Sequence, residues 1–396
     1  MKIDHVDCIH LLFEYPNRAG FRYAGGVCNG RLASLVLVHT DTGQVGIGSA
    51  YSHPALVDIV VKHQLEPILR GEDPREIEAL WDRMYNMTRW YGRKGAAMTA
   101  LGGVDIALWD LRGKSQGKPI WQLLGGTRPT CAAYASGLLW NEPEKLAEEA
   151  QRHLANGFRR MKLRMARGEE YDTAAVRAVR KAIGWDNDVM ADASMRYHLK
   201  LAQRIGKFLA EQKVFWFEEP FKPEDLDSYT ALRGTVPIRI AAGENEFGVQ
   251  GFRELIRAKA VDIVQPDACR CGGISESWRV AQMAQQENLG VAPHTWSDAV
   301  AVMANAQVVA AIPNGITVEI DQTGTPFIDD LLVEPLQVKD GQLQLSRAPG
   351  LGVELNQKTI ERYRIKDVYH IPDGAWSCMA FGKEHCALAG GFQEKE

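Results

Sequence analysis

The chain has 396 residues, 45% of them hydrophobic and 24% charged, a globular composition with room for one large domain plus a smaller one and no hint of disorder or coiled coil. Its 46 basic and 50 acidic residues leave a formal net charge of −4, so there is no basic field for nucleic acid and no polybasic stretch for a membrane surface. The amino terminus, MKIDHVDCIH, carries charges where a signal peptide has an apolar run, and the most apolar later segment, AVAVMANAQVVAAI, is too short and too polar to span lipid. A soluble cytoplasmic protein is expected.

The first part reads as mixed α+β: an alternating strand in RLASLVLVHT, a turn in DTGQVG, then helical text through PREIEALWDRMYNM and GAAMTALGGVDIALWDLRGKSQG. From about residue 131 the pattern becomes short apolar runs, each followed by an amphipathic helical stretch, and it continues to about residue 320. The runs are CAAYASGLLW, FRRMKLRM, DVMADAS, VFWFEEP, IRIAAGE, VDIVQPDA, LGVAPHTW and ITVEID. Eight such units in a row, with no glycine-rich phosphate fingerprint after the first, favour a (β/α)8 barrel over an open doubly wound sheet. The expected layout is an α+β capping domain over residues 1–125, the barrel over 126–340, and a C-terminal segment, 341–396, returning to the capping domain. Within that segment's approach, LQVKDGQLQLSRAPGLGVEL reads as a hairpin that makes the return.

Seven cysteines, Cys8, Cys28, Cys131, Cys269, Cys271, Cys378 and Cys386, are odd in number and scattered, so reduced thiols are expected. Cys269 and Cys271 are one residue apart with no second pair, and Cys378, His385 and Cys386 lack a fourth ligand; neither group makes a closed zinc site.

The charged residues of the eight runs fall at their carboxyl ends, where barrel enzymes build their sites. Asp192 ends the third, Glu218 and Glu219 the fourth, Glu244 the fifth, Asp267 the sixth, His294 the seventh and Glu319 the eighth. Steps of 26, 26, 23 and 27 residues separate Asp192, Glu218, Glu244, Asp267 and His294, one βα unit each. Three carboxylates gathered on adjacent strands need a counter-charge. A divalent cation meets that need, and all-oxygen ligands favour magnesium, one ion per subunit. Glu219 has the weaker claim, since strand alternation turns it away from Glu218. Asp267 can hold one nitrogen of His294 while the other faces the cavity, the arrangement of a general base with an orienter. Lys162 and Arg164 share one face of the second strand, and two cations there point to an anionic substrate.

KLR, ADAS, FEEP, AAGEN, QPDA, PHTW and VEID, in this order and spacing, resemble the enolase superfamily and specifically its mandelate racemase-like subgroup. The likeness runs from LVLVHTDTGQVGIG through ALWDLRGKSQGKPIWQLLGG to PGLGVEL, roughly nine-tenths of the chain. It implies a modified TIM barrel with a capping domain, Asp192, Glu218 and Glu244 as magnesium ligands, Asp267 with His294 as the proton-transfer dyad, and Glu319 donating a hydrogen bond to the substrate carboxylate. It also implies a homo-oligomer, with an octamer among the forms, acting on a small molecule.

Two positions depart from the subgroup. Arg164 stands where the usual second lysine acts as a base, and Ser194 where many relatives carry a substrate-binding asparagine. A racemase needs a base on each face of the carbon, and a guanidinium keeps its proton. The expected activity is therefore a magnesium-dependent acid-sugar (aldonate or aldarate) dehydratase that forms a 2-keto-3-deoxy acid. The alternatives are a racemase, epimerase or cycloisomerase on the same scaffold, or a barrel retained only for ligand binding. Substrate choice is assigned to the capping segments EYPNRAGFRYAGG and SAYSHPAL, with Arg18, Arg22, Tyr23 and His53 as contacts.

Overall fold

A computed structural model of the chain describes residues 1–18, 20–372 and 374–375. The cap is built on an antiparallel sheet of β1 (Ile3–Glu14), β4 (Gly30–Thr40) and β5 (Val45–Ser49), in the order β1-β4-β5. A small hairpin, β2 (Phe21–Tyr23) and β3 (Gly26–Cys28), extends from it. Alternation along β1 buries Val6, Cys8 and His10 and leaves His5 and Asp7 outside.

The helix Ala96–Gln116 is buried on nearly every side, which explains why its apolar residues do not keep to one stripe. It lies between the cap sheet and the barrel, and its small residues allow both to come close. A Cβ on Gly102 would stand 2.8 Å from the Ala268 carbonyl oxygen, and one on Gly103 2.8 Å from Val36 Cγ2. Any larger residue at either point would push cap and barrel apart.

The eight expected strands are all present and parallel: β6 (Thr130–Ser136), β7 (Arg160–Arg164), β8 (Asp188–Asp192), β9 (Phe217–Glu218), β10 (Ile240–Ala242), β11 (Ile263–Val264), β12 (Gly290–Val291) and β13 (Val318–Asp321). β13 pairs with β6, and a bridge from Val291 to Gly315 joins β12 to the chain entering β13, so the sheet closes. The helices between strands are amphipathic; in Leu199–Glu211, for example, Leu201, Ala202, Ile205 and Leu209 face inward. Inside the barrel, Tyr134, Met190, Trp216, Ala241, Ile263 and Ala292 pack into one buried layer. This apolar plug fills the space below the strand ends and keeps water from reaching the charges above it.

The hairpin of β14 (Val338–Lys339) and β15 (Gln342–Gln344) departs from expectation: β15 pairs with barrel strand β6, through Gln342↔Ala132 and Leu343↔Cys131. The return to the cap comes later. The helix Gln357–Tyr363 brings Tyr363 to 5.8 Å from Phe13, and the Ile365 N–H donates to the His10 carbonyl at 2.9 Å. Cys378, His385 and Cys386 lie outside the described residues. Among those described, Cys8, Cys28, Cys131, Cys269 and Cys271 are free, buried thiols, and no helix is long and apolar enough to cross a membrane.

Candidate active site

The strand ends converge beneath the cap on a cavity of about 500 Å³. Alternation along β7 carries Lys162 and Arg164 inward together. Lys162 is fully buried, with Nζ 2.6 Å from Glu218 Oε1, 2.8 Å from Glu319 Oε1 and 3.7 Å from Asp192 Oδ2. Burial alone would favour the neutral amine, but Glu218 and Glu319 outweigh it and hold the ammonium above its ordinary pKa. Arg164 borders the cavity, donates to Asp192, and lies over the rings of Trp296 at 4.9 Å and Tyr23 at 5.9 Å. It is likewise held fully charged by Asp192 and Glu319, against burial. The two cations therefore serve as counter-charges for the carboxylates around them.

Asp192, Glu218 and Glu244 each bring an oxygen to within 4.8 Å of the other two. Asp192 Oδ1 accepts from the Ser194 backbone N–H at 2.7 Å and Oγ at 3.2 Å, and Glu218 Oε2 from Trp216 Nε1 at 2.8 Å. Glu244 Oε2 is buried with no hydrogen-bond partner. Burial pushes the Glu218 carboxyl up; Lys162 opposes this, and Asp192, Glu319 and Glu244 add to it. An orphaned oxygen and a carboxylate short of positive charge both fit a hard divalent cation seated among these three oxygens.

On the other wall, His294 Nδ1 donates to Asp267 Oδ2 at 2.9 Å. Asp267 Oδ1 is occupied by the Cys269 N–H at 2.9 Å and Asn305 Nδ2 at 3.1 Å, so the carboxylate cannot rotate freely. A carboxylate only accepts, which places the neutral ring's proton on Nδ1 and the lone pair on Nε2, 3.7 Å from Glu244 Oε2. Burial disfavours the charged ring, but Glu244 and the bond to Asp267 prevail and raise His294 above the usual imidazole value.

Burial would raise the Glu319 carboxyl, but Lys162, His294 and Arg164 outweigh it, and Oε2 accepts from the Thr295 N–H at 2.9 Å. One expectation needs correction. Glu219 was expected to turn away, but its backbone takes φ +35°, which breaks the alternation, and its buried carboxyl borders the cavity. Asn245 Nδ2 donates to both its oxygens, at 2.8 and 3.2 Å.

Of the expected substrate contacts, Tyr23 and Ser194 border the cavity. His53 Nδ1 instead caps the helix Pro54–Val60, accepting from the Ala55 N–H at 3.3 Å, while its neighbours Tyr51 and Ser52 reach the wall. Arg22 is exposed and accepts through its backbone from the Trp140 N–H at 3.0 Å; the side chain of Arg18 lies outside the described residues. Sequence reasoning missed Tyr51, Arg270 and Trp296. The last two sit two or three residues beyond His294 and Asp267, in the loops that leave those strand ends, and that address was the available signal. Arg270 lies 5.6 Å over Tyr51 and donates to Asn245 at 3.2 Å. The CRCGG run that carries it is the short helix Ala268–Cys271 closed by two glycines: Gly273 has φ +101°, and a Cβ there would fall 2.1 Å from Asp105 Oδ2.

A capped eight-stranded barrel with a carboxylate trio, a buried ammonium and an Asp–His pair at one mouth defines a class of enzyme rather than a binding shell. Residues 14–125 match the mandelate racemase/muconate lactonizing enzyme N-terminal domain and residues 145–359 the enolase C-terminal domain-like family. The chain is 37% identical to a D-galactarolactone cycloisomerase of Agrobacterium fabrum, over 93% of this chain and 100% of the relative. It is 33% identical to an arabinonate dehydratase of Saccharolobus solfataricus, over 83% and 90%. Among solved structures, a Streptomyces coelicolor racemase with bound magnesium superposes with a TM-score of 0.85 at 28% identity, covering 92% of this chain and 100% of that one. The chain belongs to the enolase superfamily, in its mandelate racemase-like subgroup.

Proposed function

We propose that this enzyme takes the proton from the carbon beside the carboxylate of an acid sugar and expels the oxygen on the next carbon, a magnesium-dependent dehydration to a 2-keto-3-deoxy acid. The observation that carries this reading is His294: its Nε2 lone pair is set by Asp267 and faces the carboxylate trio, while on β7, where a second base would stand, Lys162 and Arg164 are both held charged. One base suffices for elimination, whereas racemisation needs a base on each face of the carbon.

Asp192, Glu218 and Glu244 would hold Mg2+, which when bound supplies positive charge for the substrate carboxylate. His294 Nε2 removes the α-proton. Lys162, already on the carboxylate network, and Arg164, at the cavity wall, stabilise the negative charge that spreads onto the carboxylate oxygens. The C–H electron pair becomes a C=C bond, the β C–O bond breaks, and the imidazolium of His294 returns its proton to the departing oxygen. The enol product then becomes the keto acid.

The cycloisomerase names among the relatives favour one second reading. The same proton removal, with a β-oxygen that belongs to a ring, opens the ring and loses no water. Incubating open-chain acid sugars and their lactones in D2O with Mg2+ separates the two. A dehydratase converts the open-chain acid to a keto acid lighter by one water; a cycloisomerase converts a cyclic substrate with no loss of water. Inversion of the α-carbon as fast as product formation would sink both.

A further inference from the structure

On the outer face of the cap sheet, far in sequence from every strand-end residue, His5 and His39 stand directly opposite each other across the β1–β4 ladder, and Asp7 follows His5 on the same face. We propose that His5, Asp7 and His39 form a second metal site, for a zinc-class divalent cation, that clamps β1 to β4. The two imidazole rings are stacked, 4.2 Å between centroids and 7° between planes, so a shared cation, which must lie in the plane of each ring, requires one ring to tilt toward the other by a side-chain rotation. Asp7 Oδ2 sits 3.5 Å from His5 Nε2 and 3.6 Å from His39 Nε2.

Those separations are too long for N–H···O hydrogen bonds, which close to about 2.7–3.2 Å. They match the ligand–ligand edge of a tetrahedron around zinc, about 3.3–3.5 Å for bonds of about 2.0–2.2 Å. One ligand atom from each of the three residues lies within 4.8 Å of the others. His39 Nε2 is buried and has no hydrogen-bond partner. His5 is already oriented: its Nδ1 donates to Asp4 Oδ2 at 2.8 Å, which leaves the Nε2 lone pair toward Asp7. Two imidazoles and a carboxylate suit zinc, nickel or copper rather than the magnesium that the all-oxygen trio fits. The fourth position stays open for water.

The contrast with the inward face of the same strand is informative. There Cys8, His10 and Asp58 also gather, but His10 Nδ1 is paired with Ser34 Oγ at 2.9 Å and the Lys62 ammonium sits on Asp58 at 2.9 Å. That cluster is already satisfied within the chain. At the outer site the ladder shifts register between Ile3 and His5, so a cation there would tie down the start of an edge strand.

The test is zinc titration of the full-length protein saturated with Mg2+, read by calorimetry and, with Co2+ in place of zinc, by visible absorption. Expected are one zinc per chain beyond the magnesium, its loss in His5→Ala and in His39→Ala, and its persistence in Glu244→Gln. Asp4→Asn should weaken binding by roughly 10–100-fold through loss of the orienting carboxylate. Asp7→Asn, nearly isosteric and exposed, should weaken it too and keeps the test sound if a histidine variant misfolds. Zinc affinity unchanged by Asp7→Asn and by either histidine variant, or no zinc bound beyond the magnesium site, overturns the proposal.

Discussion

Asp267→Asn replaces one carboxylate oxygen by an NH2 group, and the surroundings dictate which one. Oδ1 accepts from the Cys269 N–H and from Asn305 Nδ2, whose own amide is fixed because its Oδ1 accepts from the Ala268 N–H at 2.9 Å. Turning the new nitrogen toward those two donors would lose two buried hydrogen bonds, at about 1–3 kcal/mol each. It will therefore face His294 Nδ1, which must then accept, and the ring proton moves to Nε2. The lone pair needed for proton removal is gone. The active orientation is disfavoured by about 2–6 kcal/mol, which at about 1.4 kcal/mol per decade leaves roughly 30-fold to 10⁴-fold less competent enzyme. Turnover and exchange of the substrate α-proton into D2O, followed by proton NMR, should both fall by that factor while the fold and magnesium affinity hold. His294→Asn should abolish exchange, and adding Asp267→Asn to it should cost little more. If Asp267→Asn alone loses less than tenfold in exchange, the tautomer argument is wrong.

Lys162→Ala removes a fully buried ammonium from between Glu218 and Glu319, so turnover should drop about 10²–10³-fold. Denaturant unfolding of its metal-free form should show a loss of about 3–5 kcal/mol, smaller with Mg2+ present; unchanged stability would contradict the counter-charge role. In the metal-free protein the raised pKa of His294 means that the imidazolium persists above the ordinary pH of about 6.5 and the base form appears only at higher pH. Mg2+ neutralises Glu244, so the nitrogen-15 titration of His294 should move to lower pH when the ion is added; movement upward would disprove the assignment. Asp321→Ala should cost about 3–5 kcal/mol, because Arg31, buried with it at 2.6 Å, is left without its partner. A midpoint shift in urea equivalent to under 1 kcal/mol would show that pair to be slack.

The barrel and the strand-end residues were legible because both repeat: one βα unit per step makes a charged residue at each strand end visible as a spacing. Glu219 was not, since the period-two rule holds only while the backbone stays extended, and its φ of +35° lies outside the strand. The lowered pKa of Glu319 depends on Lys162 reaching it past β6, from a residue 157 positions earlier by number. The His5–His39 pair was invisible for a similar reason, as antiparallel register joins residues that no local pattern relates. The wall contributed by Tyr51 and Arg270 depends on how cap and barrel dock, which composition and periodicity do not encode.

That docking has a consequence for how such proteins can diversify. Arg31 holds Asp321 at 2.6 Å and the Trp296 carbonyl at 2.9 Å, Ser49 Oγ donates to Asp298 at 2.7 Å, and Tyr15 OH donates to Thr323 at 2.8 Å. Asp321 is two residues past Glu319, and Trp296 and Asp298 are two and four past His294, so the seams between the two lobes run through the loops that bear the reacting groups. The lobes are consequently not free modules for recombination. A chimera carrying a relative's cap on this barrel should recover turnover only when the residues at positions 31, 49 and 15 travel with their partners. New substrate preferences are more readily reached through single changes at Tyr23 or Ser52, which border the cavity and belong to none of the three pairs above.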